Sequence, residues 1–112
     1  MHTVRIEKPH FELIKSGAKL YEIRLNDEKR RNFKIGDTLT FLLRPELTEK
    51  CITQITEIIS FKSFYEICET IPATELGFDG SSPDEIVNEC YKIYSPEEEK
   101  RYGVVTIKIE VI

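Results

Sequence analysis

The stretch that decides the fold is SGAKLYEIRLNDEKRRNFKIGD, residues 16 to 37. Gly17 is typical of the residue that ends a helix. Residues 19 to 25 are predicted to form a strand, with Tyr21, Ile23 and Leu25 on one face and Leu20, Glu22 and Arg24 on the other. Glu22 and Arg24 are two residues apart, so their side chains are expected on one face, about 7 Å apart at the backbone. Lys19 lies just before them, after the glycine turn.

The same part of the chain carries an unusual charge. Residues 15 to 34 contain seven basic and three acidic residues, a local net charge of +4, whereas the rest of the chain carries −8 and the whole −4. The overall charge argues against avid, non-specific nucleic-acid binding. A positive segment on an acidic body instead favours local recruitment of an anionic ligand, with Lys29, Arg30 and Arg31 as candidate contacts. The alternative is a solvated turn.

The remaining pattern predicts short elements separated by turns. A strand at Val4 and Ile6 and a helix from Pro9 precede the stretch above. Further strands are predicted at 38–43, at 51–60 with a bulge, and at 105–111, and three S-x-x-E capping sequences predict helices at 64–70, 83–94 and 96–101. About five strands and four short helices favour a small mixed or antiparallel barrel, closed by pairing of the terminal strands, over a parallel doubly wound sheet.

Composition sets the remaining limits. The 112 residues are 40 % hydrophobic and 32 % charged, which indicates one globular domain over residues 1–112. No segment resembles a signal peptide or a membrane span, so a cytoplasmic location is expected. Cys51, Cys68 and Cys90 have no zinc-ribbon or disulfide spacing and are expected to be small buried residues. His2 and His10 lack metal-ligand spacing and are expected at the surface, although His10 could face a cleft. No metal or cofactor is predicted.

The block at residues 16 to 37 resembles the signature of the ASCH domain family, in which S-G-x-K is followed by x-x-E-x-R, a charged stretch and G-D. Weaker similarities follow at residues 60–64 (SFKSF), 91–95 (YKIYS) and 102–104 (YGV). The resemblance implies an α+β fold, a small PUA-like β-barrel of about five to six strands with short helices covering its ends. It also implies a cleft that holds RNA or a nucleotide-like small molecule.

Lys19, Glu22 and Arg24 are the residues expected to line that cleft. A lysine, a carboxylate and an arginine that converge can bind a phosphate or a nucleobase edge through charge-assisted hydrogen bonds. The alternative is a structural ion pair on the outside of a barrel. Tyr91 and Tyr102 are candidates for stacking on a base, although most aromatic residues of the chain are expected in the core. The expected partner is RNA or a nucleotide, without DNA or a membrane.

An enzymatic role is the second hypothesis. Some small bacterial ASCH proteins are amidohydrolases that remove the acetyl group of N4-acetylcytidine with a lysine, a threonine nucleophile and a glutamate. Lys19 matches the lysine of that pattern, but Glu22 occupies the threonine's position, and Glu75 is the nearest candidate for the distal glutamate. A carboxylate can act as a general base on water, but it does not replace an activated hydroxyl. Some members are ribonucleases, and no residue pair here carries that chemistry.

Overall fold

The structure is a computed structural model, and it describes residues 2–112. Five strands and five short helices follow one another along the chain. Their bounds are β1 (His2–Ile6), α1 (Lys8–Lys15), β2 (Tyr21–Leu25), α2 (Glu28–Arg31), β3 (Thr38–Leu43), β4 (Lys50–Phe61), α3 (Phe64–Thr70), α4 (Pro83–Tyr91), α5 (Pro96–Tyr102) and β5 (Val104–Val111).

The five strands form one curled, mixed sheet in the order β1-β3-β4-β5-β2, a half-barrel that confirms the predicted α+β class. β1 pairs with β3 in parallel, and the other neighbours are antiparallel. The prediction that the terminal strands pair with each other is wrong. Both edges of β5 are already hydrogen-bonded, one to β4 and the other to β2, so β1 is left to pair with β3 at the far edge.

The expected bulge lies in β4. Its register against β5 shifts between Ile55 and Glu57, so one extra residue is accommodated there. The bulge explains why the isoleucines of this long strand do not alternate in the sequence. The polar segment between β3 and β4 connects these two antiparallel strands as a hairpin loop.

The three serine caps begin helices as predicted. Ser63, Ser82 and Ser95 each accept a hydrogen bond from the backbone N–H three residues later. In α4 and α5 the glutamate also accepts from the serine N–H, which completes the capping box. α2, which Asp27 caps, is a single charged turn after β2, and it brings the number of helices to five, one more than predicted.

Two apolar clusters hold the elements together. The first packs Phe11 and Ile14 of α1 against β1, β3, β4 and β5. The second packs α3 and α4 against β2 and the junctions beside it, with Phe64 and Ile67 almost fully buried. The segment between α3 and α4 belongs to the second cluster through Leu76, and this position brings it close to the beginning of β2.

Candidate functional site

The site is built where α1, β2 and the segment between α3 and α4 meet. After α1 ends, the amides of Ala18 and Lys19 both donate to the Leu13 carbonyl, which fixes the approach to β2. The next two amides, of Leu20 and Tyr21, both donate to the carbonyl of Glu75 at 2.8 and 3.1 Å. Lys19 is therefore held between the end of one helix and a loop that is distant in sequence.

Lys19, Glu22 and Arg24 form a continuous ion-paired group, here called the triad. Lys19 Nζ lies 3.0 Å from Glu22 Oε1, and Arg24 reaches Glu22 Oε2 with Nε at 2.8 Å and Nη2 at 2.7 Å. The Lys19 and Glu22 side chains are only 4 % and 6 % exposed, and that of Arg24 is 15 % exposed. Both carboxylate oxygens are thus occupied by cations in a largely water-excluded setting.

The triad changes the titration of its carboxyl group. Burial alone would raise the pKa of Glu22, but the neighbouring charges and hydrogen bonds of Lys19 and Arg24 outweigh burial and lower that pKa to about 2. Burial likewise acts to lower the pKa of Arg24, whereas the charge of Glu22 raises it, with a net rise. Glu22 and Arg24 are therefore ionised at neutral pH, and with the formal charge of Lys19 the triad has a net charge of +1.

His10 extends the triad toward α1. Its Nδ1 lies 2.9 Å from Lys19 Nζ, and its ring meets the edge of Phe78 with the ring centroids 5.0 Å apart. Burial lowers the pKa of His10, and the charge of Lys19 lowers it further, so the imidazole is neutral near pH 7. Because the ammonium donates to Nδ1, the single ring proton is placed on Nε2.

A cleft of about 620 Å³ opens over the triad. Its walls combine the β1–α1 junction, β2, Phe78 from the α3–α4 segment and the end of α4. Besides the triad and His10, the side chains that matter below are Phe78, Ile93, Tyr94, Arg44, Lys92 and Glu89. Ile93 is 75 % exposed, so it presents apolar surface to solvent at the edge of the cleft. The cleft thus has a charged, buried floor and a partly apolar mouth.

Several candidate residues lie elsewhere. Lys29, Arg30 and Arg31 are in α2, where Arg30 pairs with Asp27 at 3.1 Å, and none of the three lines the cleft. Arg30 is nevertheless close enough to Tyr94 for its charge to act on the pKa of that phenol. The basic segment is therefore split between the cleft floor and an adjacent helix.

The remaining candidates have structural contacts. Tyr91 donates to Glu99 Oε1 at 2.6 Å, and this hydrogen bond is the largest cause that raises the pKa of Tyr91 to about 12. Tyr102 packs against the second apolar cluster, with the Arg101 guanidinium over its ring. Glu75 meets the site through its backbone carbonyl, and its side chain is not among those that line the cleft.

Two lining residues had no sequence signal that marked them as site residues. Phe78 lies in a segment without periodicity, and Tyr94, although it lies in the weaker YKIYS similarity at residues 91–95, is one aromatic residue among many. The Tyr94 phenol contacts Arg24, and burial is the first cause that raises its pKa. His10 was an open possibility, and it lies half-buried in the cleft rather than at the surface, because its ring packs between Lys19 and Phe78.

Neither an activated thiol nor a cluster of metal ligands lies at the cleft among residues 2–112. Cys51 and Cys90 are buried as predicted, and Cys68 is partly buried. Cys90 borders the cleft, but burial raises the pKa of its thiol to about 12, which opposes formation of a nucleophilic thiolate. Across residues 2–112, no group of three or more His, Cys, Asp or Glu side chains is arranged to hold a metal ion. Over the same range, no helix is long and apolar enough to cross a membrane.

A curled five-strand sheet, flanked by short helices and bearing a polar cleft, defines a small PUA-like α+β domain. The chain belongs to the ASCH domain family, whose family model matches residues 4–112. The resemblance read from residues 16 to 37 is therefore confirmed over nearly the whole chain. Proteins of this family are in general PUA-like and RNA-binding. No curated protein matches the chain.

Solved structures agree with this assignment. The crystal structure of hypothetical protein PH0355 is 33 % identical with a TM-score of 0.87, over 99 % of this chain and 98 % of that one. The solution structure of protein PF0455 from Pyrococcus furiosus is 31 % identical with a TM-score of 0.73, over 100 % and 98 % of the two chains. Protein EF3133 from Enterococcus faecalis V583, at 12 % identity and a TM-score of 0.66 over 99 % and 75 %, shares the fold alone.

Proposed function

We propose that this chain binds RNA or a nucleotide in the cleft above Lys19, Glu22 and Arg24. The observation that carries the proposal is the pairing of a buried cationic floor with an apolar and aromatic mouth in one cleft of about 620 Å³. A nucleotide has the matching chemistry, because it joins a planar base to an anion. The ASCH family is in general RNA-binding, which supports the same reading.

The geometry favours binding over hydrolysis. A pKa lowered to about 2 makes the Glu22 carboxylate a weak base at neutral pH. Both of its oxygens also accept hydrogen bonds from cations, so it has little capacity left to activate a water molecule. Glu75 presents a carbonyl to the site segment rather than a carboxylate to the cleft. We therefore expect that the protein does not hydrolyse N4-acetylcytidine.

The cleft assignment is tested by placing a negative charge at its mouth. Ile93→Glu is expected to weaken binding of single-stranded RNA and of mononucleotides by roughly tenfold or more, because an anionic ligand meets a like charge and loses an apolar contact. Ile112→Glu is the matched control, since Ile112 is 76 % exposed but lies outside the cleft lining. Both affinities are measured by isothermal titration calorimetry at fixed salt.

Two results would count against the proposal. Equal affinities for the two variants would mean that the ligand binds elsewhere. If neither RNA nor any nucleotide bound to the protein, the proposed function would be refuted. Release of acetate from N4-acetylcytidine, abolished by Glu22→Gln, would favour the hydrolase instead. Binding of single-stranded DNA with the same affinity as RNA would contradict the expected preference for RNA.

The α2 cations have a separate test. If RNA extends from the cleft onto α2, combined Lys29→Ala, Arg30→Ala and Arg31→Ala should reduce the slope of log affinity against log salt by about 0.7 per lost phosphate contact, or about 2 in total. Combined Lys50→Ala, Lys62→Ala and Lys100→Ala removes the same charge from exposed positions outside α2 and the cleft. Equal slopes in the two triple variants would show that α2 is an ordinary solvated turn.

A further inference from the structure

We infer that the floor of the cleft is a subsite for a phosphomonoester, and that the base of the ligand occupies the mouth. This inference rests on the proposed nucleotide-binding function and adds an orientation to it. It also narrows the ligand class to a nucleoside monophosphate or the phosphorylated end of an RNA, which share this group. Three features of the cleft lead to this conclusion.

The first feature is the hydrogen-bonding capacity left on the floor. Both carboxylate oxygens of Glu22 already accept hydrogen bonds from Lys19 and Arg24, and His10 Nδ1 already accepts one from Lys19. These acceptors are therefore not available to a ligand. Lys19 has three N–H groups and uses two, on Glu22 and His10. Arg24 uses Nε for Glu22 and Nη2 for Glu22 and the Arg5 carbonyl, whereas no hydrogen bond within residues 2–112 engages its Nη1. His10 retains its Nε2–H. The floor therefore offers donors, and a phosphate offers only acceptors at neutral pH.

The second feature is the charge balance. At the mouth, Arg44 is paired with Glu7 at 3.8 Å and Lys92 is paired with Glu89, and Arg5, the third exposed cation of the lining, is in contact with water. On the floor two cations share one carboxylate, which leaves a net charge of +1 among side chains that are 4 to 15 % exposed. A charge removed from water is costly unless a counter-charge approaches it. A dianionic phosphate supplies that counter-charge, whereas a neutral base does not.

The third feature is the shape of the cleft. The floor is closed from behind, because the α3–α4 segment packs on the stem of Lys19 and leaves only 4 % of that side chain exposed. A phosphodiester inside an RNA strand carries a nucleotide on each side and needs room for both beside the floor, whereas a terminal phosphate carries only one. At the mouth, Phe78, Tyr94 and the 75 % exposed Ile93 provide the apolar surface that a base covers.

The orientation is tested by calorimetry with three probes, inorganic phosphate, uridine and UMP. UMP is expected to bind at least tenfold more tightly than uridine, and inorganic phosphate is expected to compete with UMP. Arg24→Lys keeps the charge but loses the planar fork, so it should lower affinity for UMP and for phosphate while leaving uridine little changed. Phe78→Leu should lower the affinity for both UMP and uridine and leave the affinity for phosphate unchanged. Arg101→Lys, an exposed arginine on α5, is the matched control.

A second measurement does not depend on any variant. A phosphate monoester has a second pKa near 6 in water, and contact with the cationic floor should lower it in the ³¹P NMR titration of bound UMP. Equal binding of uridine and UMP, or an unshifted phosphate titration in the complex, would overturn the inference and leave the proposed function intact. Failure of all nucleotides and RNA to bind would instead refute the proposed function itself.

Affinities measured by calorimetry also distinguish the two sources of the phosphate, which are a free mononucleotide and the end of an RNA. A 5′-phosphorylated oligouridylate that binds at least tenfold more tightly than UMP would identify an RNA end as the ligand. Equal affinities would identify a free mononucleotide. An unphosphorylated oligouridylate that binds as tightly as its phosphorylated form would contradict the subsite.

Discussion

Replacing Glu22 with glutamine is expected to lower the free energy of unfolding by roughly 3–5 kcal/mol, which is the usual cost of breaking a buried ion pair on one side. The reason is that the Lys19 and Arg24 side chains, which are only 4 % and 15 % exposed, would then lose their shared carboxylate and repel each other across a neutral amide. Glutamine preserves the size of the side chain, so the loss reports charge rather than packing. Urea unfolding followed by circular dichroism measures it.

An exposed ion pair supplies the control. Lys15 and Glu49 are 3.4 Å apart but 58 % and 51 % exposed, so Glu49→Gln should cost less than about 1 kcal/mol. Similar losses in the two variants would mean that the triad is hydrated like a surface pair. In that case the cleft floor would also hold no water-excluded, uncompensated charge.

The same substitution should change the acid sensitivity of the fold. The pKa of Glu22 is about 2 in the folded chain and about 4.5 in an ordinary setting, so the unfolded state binds the proton first. Stability from this group is therefore complete above pH 4.5 and is lost as the pH falls toward 2, by roughly 3 kcal/mol in total. Glu22→Gln should lose less stability than the wild type between pH 5 and 2.5. Parallel curves would contradict the lowered pKa.

The sequence predicted the charged part of the site because that part is local. Glu22 and Arg24 share a face through the two-residue period of a strand, and Gly17 places Lys19 directly before them. The family resemblance rests on the same block. The order of the strands was harder to predict, because hydrophobic alternation identifies a strand but not its neighbours. β1 and β5 both alternate, yet the pairing of β5 with β2 and β4 excludes β1.

The apolar part of the site depends on contacts between distant segments. Phe78 reaches the cleft because the backbone amides of Leu20 and Tyr21 are hydrogen-bonded to the carbonyl of Glu75, far along the chain. Neither residue has a periodic neighbourhood that would predict the contact. Tyr91 and Tyr94 look equivalent in the sequence, but the first is bonded to the buried Glu99 and the second lies beside Arg24. Only the packing of α4 distinguishes them.

Gly77 is the residue of the α3–α4 segment whose replacement should most affect the site. Its φ is +84°, a conformation that costs a residue with a Cβ roughly 1–2 kcal/mol. A Cβ there would also lie 2.8 Å from Lys19 Cδ and 3.1 Å from His10 Nδ1. Overpacking of this kind adds about 1–3 kcal/mol, so Gly77→Ala should lower the free energy of unfolding by roughly 2–5 kcal/mol in total.

Gly80 separates backbone strain from the clash at the site. Its φ is +81°, almost the same as that of Gly77, but a Cβ at Gly80 meets nothing within 4 Å. Gly80→Ala should therefore cost only the roughly 1–2 kcal/mol of strain. Because the Gly77 methyl group displaces Lys19 and His10, affinity for UMP should fall in Gly77→Ala and stay unchanged in Gly80→Ala. Equal losses of stability and unchanged affinity for UMP in both variants would contradict this prediction. Gly77 would then be needed only for the backbone conformation of the turn, and not for its close approach to Lys19.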